Sequence, residues 1–288
     1  GVEIAKQCKL LGIHINFAPV VDINSNPDNP IINNRSFGEN PQVVSQKSLA
    51  YMQGMQDNNI LACAKHFPGH GDTDTDSHKT LPILNHSLDR LHEIDLIPFK
   101  KLINNGLGSV MVAHLNIPIL DSTKNISSSL SEKVVTDLLK NELNFKGLAI
   151  TDALNMKGVS NYYNPGDVDV KALLAGNDIL LFSEDVPKAI DEIKKAIISN
   201  KISAKEIDER CRKVLLAKKW LNLDKYKPVD LNEVKQNKIT LSSVNLNKKL
   251  VENSITLLQN FDEIVPIKRL DTLRIASVSI GEASDEFK

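Results

Sequence analysis

Apolar and polar positions along this chain follow two rhythms. Short apolar runs rich in β-branched residues occur at 15–21 (INFAPVV), 61–67 (LACAKHF), 109–115 (SVMVAHL), 148–154 (LAITDAL) and 178–182 (DILLF). Between them lie stretches with apolar residues every three to four positions, at 42–58, 88–104, 131–143 and 186–199. The last has Pro187 in its first turn, where the missing N–H is tolerated. The opening GVEIAKQCKLLGI has the pattern of an amphipathic helix rather than a leader peptide. Strands alternating with amphipathic helices predict βα units around a parallel sheet. Leu49, Met52 and Met55 fall on the apolar face of the 42–58 helix and are expected in the core.

The unusual polar residues distinguish a barrel from an open sheet. Lys65 and His66 end one apolar run, His114 another and Asp152 a third. In a (β/α)8 TIM-type barrel these ends share one face, where catalytic groups from different strands converge. No GxGxxG or GxxxxGK[ST] loop follows any run, which argues against a nucleotide-binding open sheet. A barrel is therefore the expected architecture. Because such a barrel takes about 250 residues and only five strands are visible, the chain is expected to begin after the first strands. Helical patterning ends near Trp220, so residues 1–222 are assigned to the barrel and the polar, weakly periodic 223–247 to a linker. Residues 248–288 are expected to begin a second α/β sandwich domain, with a helix at 248–260 and a strand at 273–280.

Composition narrows the function classes. The 35 basic and 36 acidic residues nearly cancel to a formal charge of −1, leaving no positive field for nucleic acid. No apolar run approaches the ~20 residues needed to span a bilayer. Cys8, Cys63 and Cys211 are odd in number and widely spaced, signalling neither a disulfide framework nor a zinc knuckle, and are expected to be packing residues. No cofactor motif is present.

The chemistry concentrates in residues 65–82, KHFPGHGDTDTDSHKTLP, which hold His66, His70 and His78 together with Asp72, Asp74 and Asp76. A strand that runs into a long polar loop with glycines and prolines is a frequent home for functional groups. On the residues alone three readings stand. His66, His70, Asp72, Asp76 and His78 are all possible metal ligands, although their spacing matches no closed metal motif. The polar residues can instead simply satisfy one another and solvent. In the third reading Asp76 and His78, two apart in an extended segment, form a pair in which the carboxylate orients an imidazole for acid/base work.

The segment KHFPGHGDTDTDSH (65–78) resembles the signature of the β-N-acetylhexosaminidase branch of glycoside hydrolase family 3. It is joined in the family's order by NFAPVVDINSNPDNPIINNRSFG (16–38), VMVAHL (110–115) and AITDALNMKGV (149–159). The later SITLLQN and IASVSIG resemble the start of the sandwich domain that follows the barrel in two-domain members. The resemblance implies Asp152 as nucleophile and His78 as proton donor and acceptor supported by Asp76. It further implies that Arg35, Lys65 and His66 hold the sugar. The activity it implies is retaining exo-hydrolysis of terminal β-linked N-acetylglucosamine from cell-wall or related glycan fragments such as muropeptides, with no metal or cofactor.

Each of these residues also has a plainer role open to it. Asp152 can be a helix N-cap, and Arg35 a solvated loop cation. Lys65 is harder to explain by packing, since a charge at the end of a buried strand needs a partner or a ligand. His114 is expected to line the pocket or support a neighbour, and Asp22 with the Asn-rich 24–34 is expected to serve turn chemistry only. A histidine in the acid/base role puts no permanent negative charge where the acceptor enters, so phosphate is a competing acceptor and a phosphorylase is the alternative activity. A non-catalytic carbohydrate-binding barrel is the alternative from another class.

Overall fold

The computed structural model describes residues 1–73, 80–237, 239–261, 263–267, 271 and 274. The chain divides into two compact units, Gly1–Lys238 and Ile239–Lys288. In the first, five strands form one parallel sheet in sequential order: β1 (Ile15–Asn16), β2 (Leu61–Phe67), β3 (Ser109–Val112), β4 (Leu148–Ala153) and β5 (Ile179–Leu181). These are the five apolar runs of the sequence, arranged as an α/β half-barrel. The run at 15–21 forms only a two-residue strand because Pro19 has no N–H to give to a ladder. Single bonds to β2 continue past it, with Cys63 N donating to Ala18 O, Lys65 N to Pro19 O and Val21 N to Lys65 O at 2.8 Å.

The crossings are helical. They include α1 (Val2–Leu10), which precedes β1, and α2 (Pro41–Gln56), which leads into β2. Asn40 caps α2 by accepting from Gln42 N and Val43 N, and Pro41 fits its first turn. The predicted 88–104 helix is interrupted. A single turn at Leu88–Arg90 passes into a π-helical stretch, Leu91–Asp95, before α3 (Ile97–Ile103) begins. Pro98 cannot donate back into the preceding turn, so a new helix starts there. The predicted 131–143 helix is π-helical over Lys133–Glu142. The sequence pattern did not single out α4 (Asp167–Ala175), which ends on Gly176 at φ 116°. Then come α5 (Val186–Ile198), capped by Asp185, and α6 (Ala204–Trp220), with a Ser203/Glu206 capping box.

Period-two alternation sorts the strand residues onto two faces. Ala62, Ala64, Val110, Val112 and Ala149 pack with Met52, Met55, Phe99 and Leu102, with Leu49 partly buried beside them. On the other face Leu61, Cys63, Met111, Leu148 and Ile150 form a second cluster with Ile179, Leu181 and Val214. Continuing the same alternation, Lys65 follows Cys63 and Asp152 follows Ile150 onto this second face, at the carboxyl ends of their strands. The core thus places a cation and a carboxylate on the same side. Cys8 and Cys63 are buried as expected, whereas Cys211 is exposed on α6, none of whose residues is buried, so the packing role fails for that cysteine.

After α6 the first unit continues to α7 (Leu231–Asn237), which packs against α1. In the second unit the helix expected at 248–260 is found instead as α8 (Leu241–Ser254), capped by Thr240. None of its residues is buried. The strand expected at 273–280 lies outside the described residues except for Arg274.

Candidate active site

The loop after β1 folds over the end of β2 and brings Asp22, Asn29 and Arg35 to it. Asp22 is 1% exposed, and its Oδ1 accepts from His70 N at 2.8 Å and His66 N at 3.1 Å. Its Oδ2 lies 2.7 Å from His66 Nδ1, a contact a carboxylate makes only as acceptor. Burial pushes the Asp22 carboxyl up, but the His66 charge and hydrogen bond, with those of His70, more than offset it and hold the group below its ordinary value. With Nδ1 facing the Asp22 carboxylate, the other ring nitrogen of His66, Nε2, lies 3.5 Å from Arg35 Nη2. Arg35 Nη1 is tied back to Ile31 O at 3.1 Å. Asp22 is therefore no mere turn residue. Its position between the buried Val21 and Ile23 was the available signal.

The two loops interlock. Buried Asn29 accepts from Ile31 N and Ile32 N and donates to His70 O at 2.8 Å, joining the β1 loop to the β2 loop. A Cβ on Gly71 would lie 1.7 Å from Ile23 O, so only glycine permits this approach. His70 Nδ1 sits 2.7 Å from Thr73 Oγ1. Burial and the neighbouring His66 pull the His70 imidazole below its ordinary value, opposed by Asp22. Farther along the loop, Asp72 meets His86 at 3.1 Å and Arg90 at 3.6 Å.

Asp152 stands near the end of β4 and caps no helix; its Oδ1 accepts from Ala153 N at 2.8 Å. Burial raises its pKa, but His114, His66, the Ala153 N–H and Lys65 together bring it below the ordinary value, so the carboxylate is ionised at neutral pH. His114 is fully buried behind it, with Nε2 3.0 Å from Ala153 O and Nδ1 2.7 Å from Ser129 Oγ. Burial and then the nearby Arg35 lower the Lys65 ammonium, against Cys63, Asp152 and Asp22.

Arg35, Lys65, His66, His70 and Asp152 line one cavity of 180 Å³, walled by Phe17, Met111 and Leu181 among others. That is about six times water's share of liquid volume, the scale of a single sugar ring. The fold brings together Asp152, Lys65, His66 and Arg35, with His114 behind them; Asp76 and His78 lie outside the described residues. A larger cleft of 480 Å³ between α4 and α5 is lined by Tyr162, Tyr163, Lys171 and Glu192, but it lies away from the strand ends and their carboxylate–imidazole cluster. Chemistry, not size, selects the smaller cavity. Among the described residues no three His, Cys, Asp or Glu side chains are grouped to hold a metal ion, and no helix is long and apolar enough to cross a membrane.

Known proteins resemble this chain in sequence and fold. Residues 1–217 match the glycosyl hydrolase family 3 N terminal domain. A beta-hexosaminidase A from Pseudoalteromonas piscicida is 37% identical over 230 residues, covering 73% of this chain and 38% of that protein. The beta-hexosaminidase LpqI of Mycobacterium tuberculosis is 34% identical over 221 residues, 74% of this chain and 56% of that one. Among solved structures, a glycoside hydrolase family 3 beta-N-acetylglucosaminidase from Paenibacillus sp. superposes with a TM-score of 0.81 at 35% identity, over 90% of this chain and 51% of that one. The chain thus spans between 38% and 56% of the length of these two curated relatives. With the match running through all five strands and the strand-end cavity, the chain belongs to glycosyl hydrolase family 3, and residues 1–217 carry its N-terminal domain.

Proposed function

We propose that the protein is a retaining, exo-acting β-N-acetylhexosaminidase that removes terminal β-linked N-acetylglucosamine from cell-wall or related glycan fragments. The observation that carries this reading is Asp152. It is a carboxylate kept ionised in a one-ring cavity, with cationic donors from Lys65 and Arg35 on the same wall. Such a group is suited to attack an anomeric carbon as positive charge develops there. The beta-hexosaminidase relatives support the substrate class. Arg35, Lys65 and His66 bind the sugar hydroxyls, and His114 supports the strand end that presents the nucleophile.

In the first step Asp152 bonds to the anomeric carbon while His78 gives its proton to the departing glycosidic oxygen. In the second, His78 takes a proton from water, which displaces Asp152 and releases the sugar with the configuration it began with. Asp76 orients the imidazole in both steps.

The test is release of an aryl leaving group from an aryl β-N-acetylglucosaminide by the full-length protein, with and without phosphate. Asp152→Asn and His78→Ala are expected to lower kcat by about 10³-fold or more. A sugar 1-phosphate formed only with phosphate makes the protein a phosphorylase instead. No turnover from the folded wild type makes it a carbohydrate-binding barrel.

A further inference from the structure

Asp22 has no part in the two chemical steps, yet it is the most enclosed carboxylate near the cavity, and its two oxygens do different work. Oδ1 takes His70 N at 2.8 Å, and His66 N lies 3.1 Å from both oxygens, so that Asp22 sets the course of the chain from 66 to 70. Oδ2 faces His66 Nδ1 at 2.7 Å. A buried asparagine would still offer both backbone donors an acceptor through its one carbonyl oxygen. Only an acceptor on both arms forces Nδ1 to carry the proton.

The consequence appears at the far edge of the ring. Nε2 of His66 is left as an acceptor, and 3.5 Å from it stands Nη2 of Arg35, a permanent donor. An acceptor and a donor side by side match a hydroxyl group, which donates one hydrogen bond and accepts others. We propose that Asp22 is a positioning residue for sugar recognition, fixing His66 in the Nδ1–H tautomer so that Nε2 and Arg35 Nη2 together hold one hydroxyl of the bound saccharide. This rests on the reading of the cavity as a sugar site. It adds to that reading the tautomer of His66 and the residue that sets it.

Asp22→Asn is the probe. With its carbonyl in place of Oδ1, asparagine keeps an acceptor for His70 N and for His66 N, losing the second contact of His66 N, while its NH₂ replaces Oδ2 and drives His66 to the Nε2–H form. That form points a donor at Arg35 and leaves no acceptor for the hydroxyl.

The experiment is long-range ¹H–¹⁵N NMR of the histidine rings in the full-length protein at neutral pH, wild type and Asp22→Asn, beside steady-state kinetics on an aryl β-N-acetylglucosaminide. The expected result is Nδ1–H for His66 in the wild type and Nε2–H in the variant. KM should rise about tenfold, the loss of roughly one hydrogen bond, with kcat changed by less than about threefold. A purely structural role would lower the folded fraction without switching the tautomer or separating KM from kcat. A wild-type His66 protonated on Nε2, alone or with Nδ1, overturns the proposal and needs no variant to show it. A switched tautomer with an unchanged KM overturns the hydroxyl assignment. If the wild type turns over no glycoside, the sugar-site reading fails and the hydroxyl goes with it, while the ring spectrum still decides what Asp22 does to His66.

Discussion

Beneath the strand that carries Asp152 lies a buried charge whose removal has a calculable effect. Asp178 opens onto β5 with its side chain 1% exposed, and it accepts from three donors: Lys213 Nζ at 2.5 Å, Ala149 N at 2.9 Å and Lys140 Nζ at 3.3 Å. Ala149 is three residues before the proposed nucleophile on the same strand. In Asp178→Ala both ammonium groups lose their counter-ion and a buried N–H loses its acceptor. Breaking a buried ion pair typically costs 3–5 kcal/mol. Because the lysines are 23% and 30% exposed, their heads partly reach water, so the lower end applies, about 3 kcal/mol. For a unit of this size that is roughly 6–12 °C in Tm. Urea denaturation followed by the fluorescence of Trp220, the only tryptophan, should show a lower midpoint with unchanged slope. Adding Lys140→Met should restore part of the loss, since burial, Lys213 and Arg210 already depress that ammonium and Asp178 opposes them. A loss below about 1 kcal/mol, or no recovery in the double variant, would instead place the lysines effectively in solvent.

Three further outcomes follow from the same physics. Burial pushes the Asp95 carboxyl up to about 7 despite Arg90 at 3.7 Å, so the folded state holds a proton that the unfolded chain has lost. Its stability contribution is present below pH 4 and lost as pH rises to 7, by up to about 4 kcal/mol. Asp95→Asn should therefore flatten the fall in urea midpoint between pH 4 and 8. Gly71→Ala forces a Cβ against Ile23 O and should cost about 1–3 kcal/mol together with a raised KM, because Ile23 adjoins Asp22; a variant with wild-type KM and Tm would contradict the interlocked loops. In native protein, iodoacetamide should label exposed Cys211 while leaving Cys8 and Cys63 untouched, the Cys63 thiol being pushed by burial to about 12. Peptide mass spectrometry before and after denaturant checks this.

Much of the fold was legible because period-two and period-3.6 patterns report burial on one side of an element. All five strands lie within the runs read from the sequence, and Lys65 and Asp152 fall on one face by parity alone. The pattern misplaced the bounds of α8, none of whose residues is buried, and was misleading about continuity where local backbone chemistry intervened, as at Pro98. Of the site, Lys65, His66, Arg35 and Asp152 were visible as polar residues at strand ends or within motifs, and the cavity brings them together. Asp22 was missed because an aspartate before an Asn-rich stretch has the composition of a turn. Its role depends on a partner 44 residues away, which periodicity cannot supply. Likewise the support of His114 by Ser129 depends on a loop that returns to the end of β3, where Ser128 bonds to Ala113 and Leu115.

The central claim is that Asp152 forms a covalent bond to the sugar. The most direct measurement is intact and peptide mass spectrometry of the full-length protein after reaction with an activated fluorosugar analogue of N-acetylglucosamine, which slows release of the glycosyl-enzyme. The account predicts one added glycosyl group on the peptide spanning 148–157, at Asp152, and none in Asp152→Asn. An adduct on a different residue, or turnover of the analogue through the sugar's own acetamido group with no adduct at any stage, would contradict it.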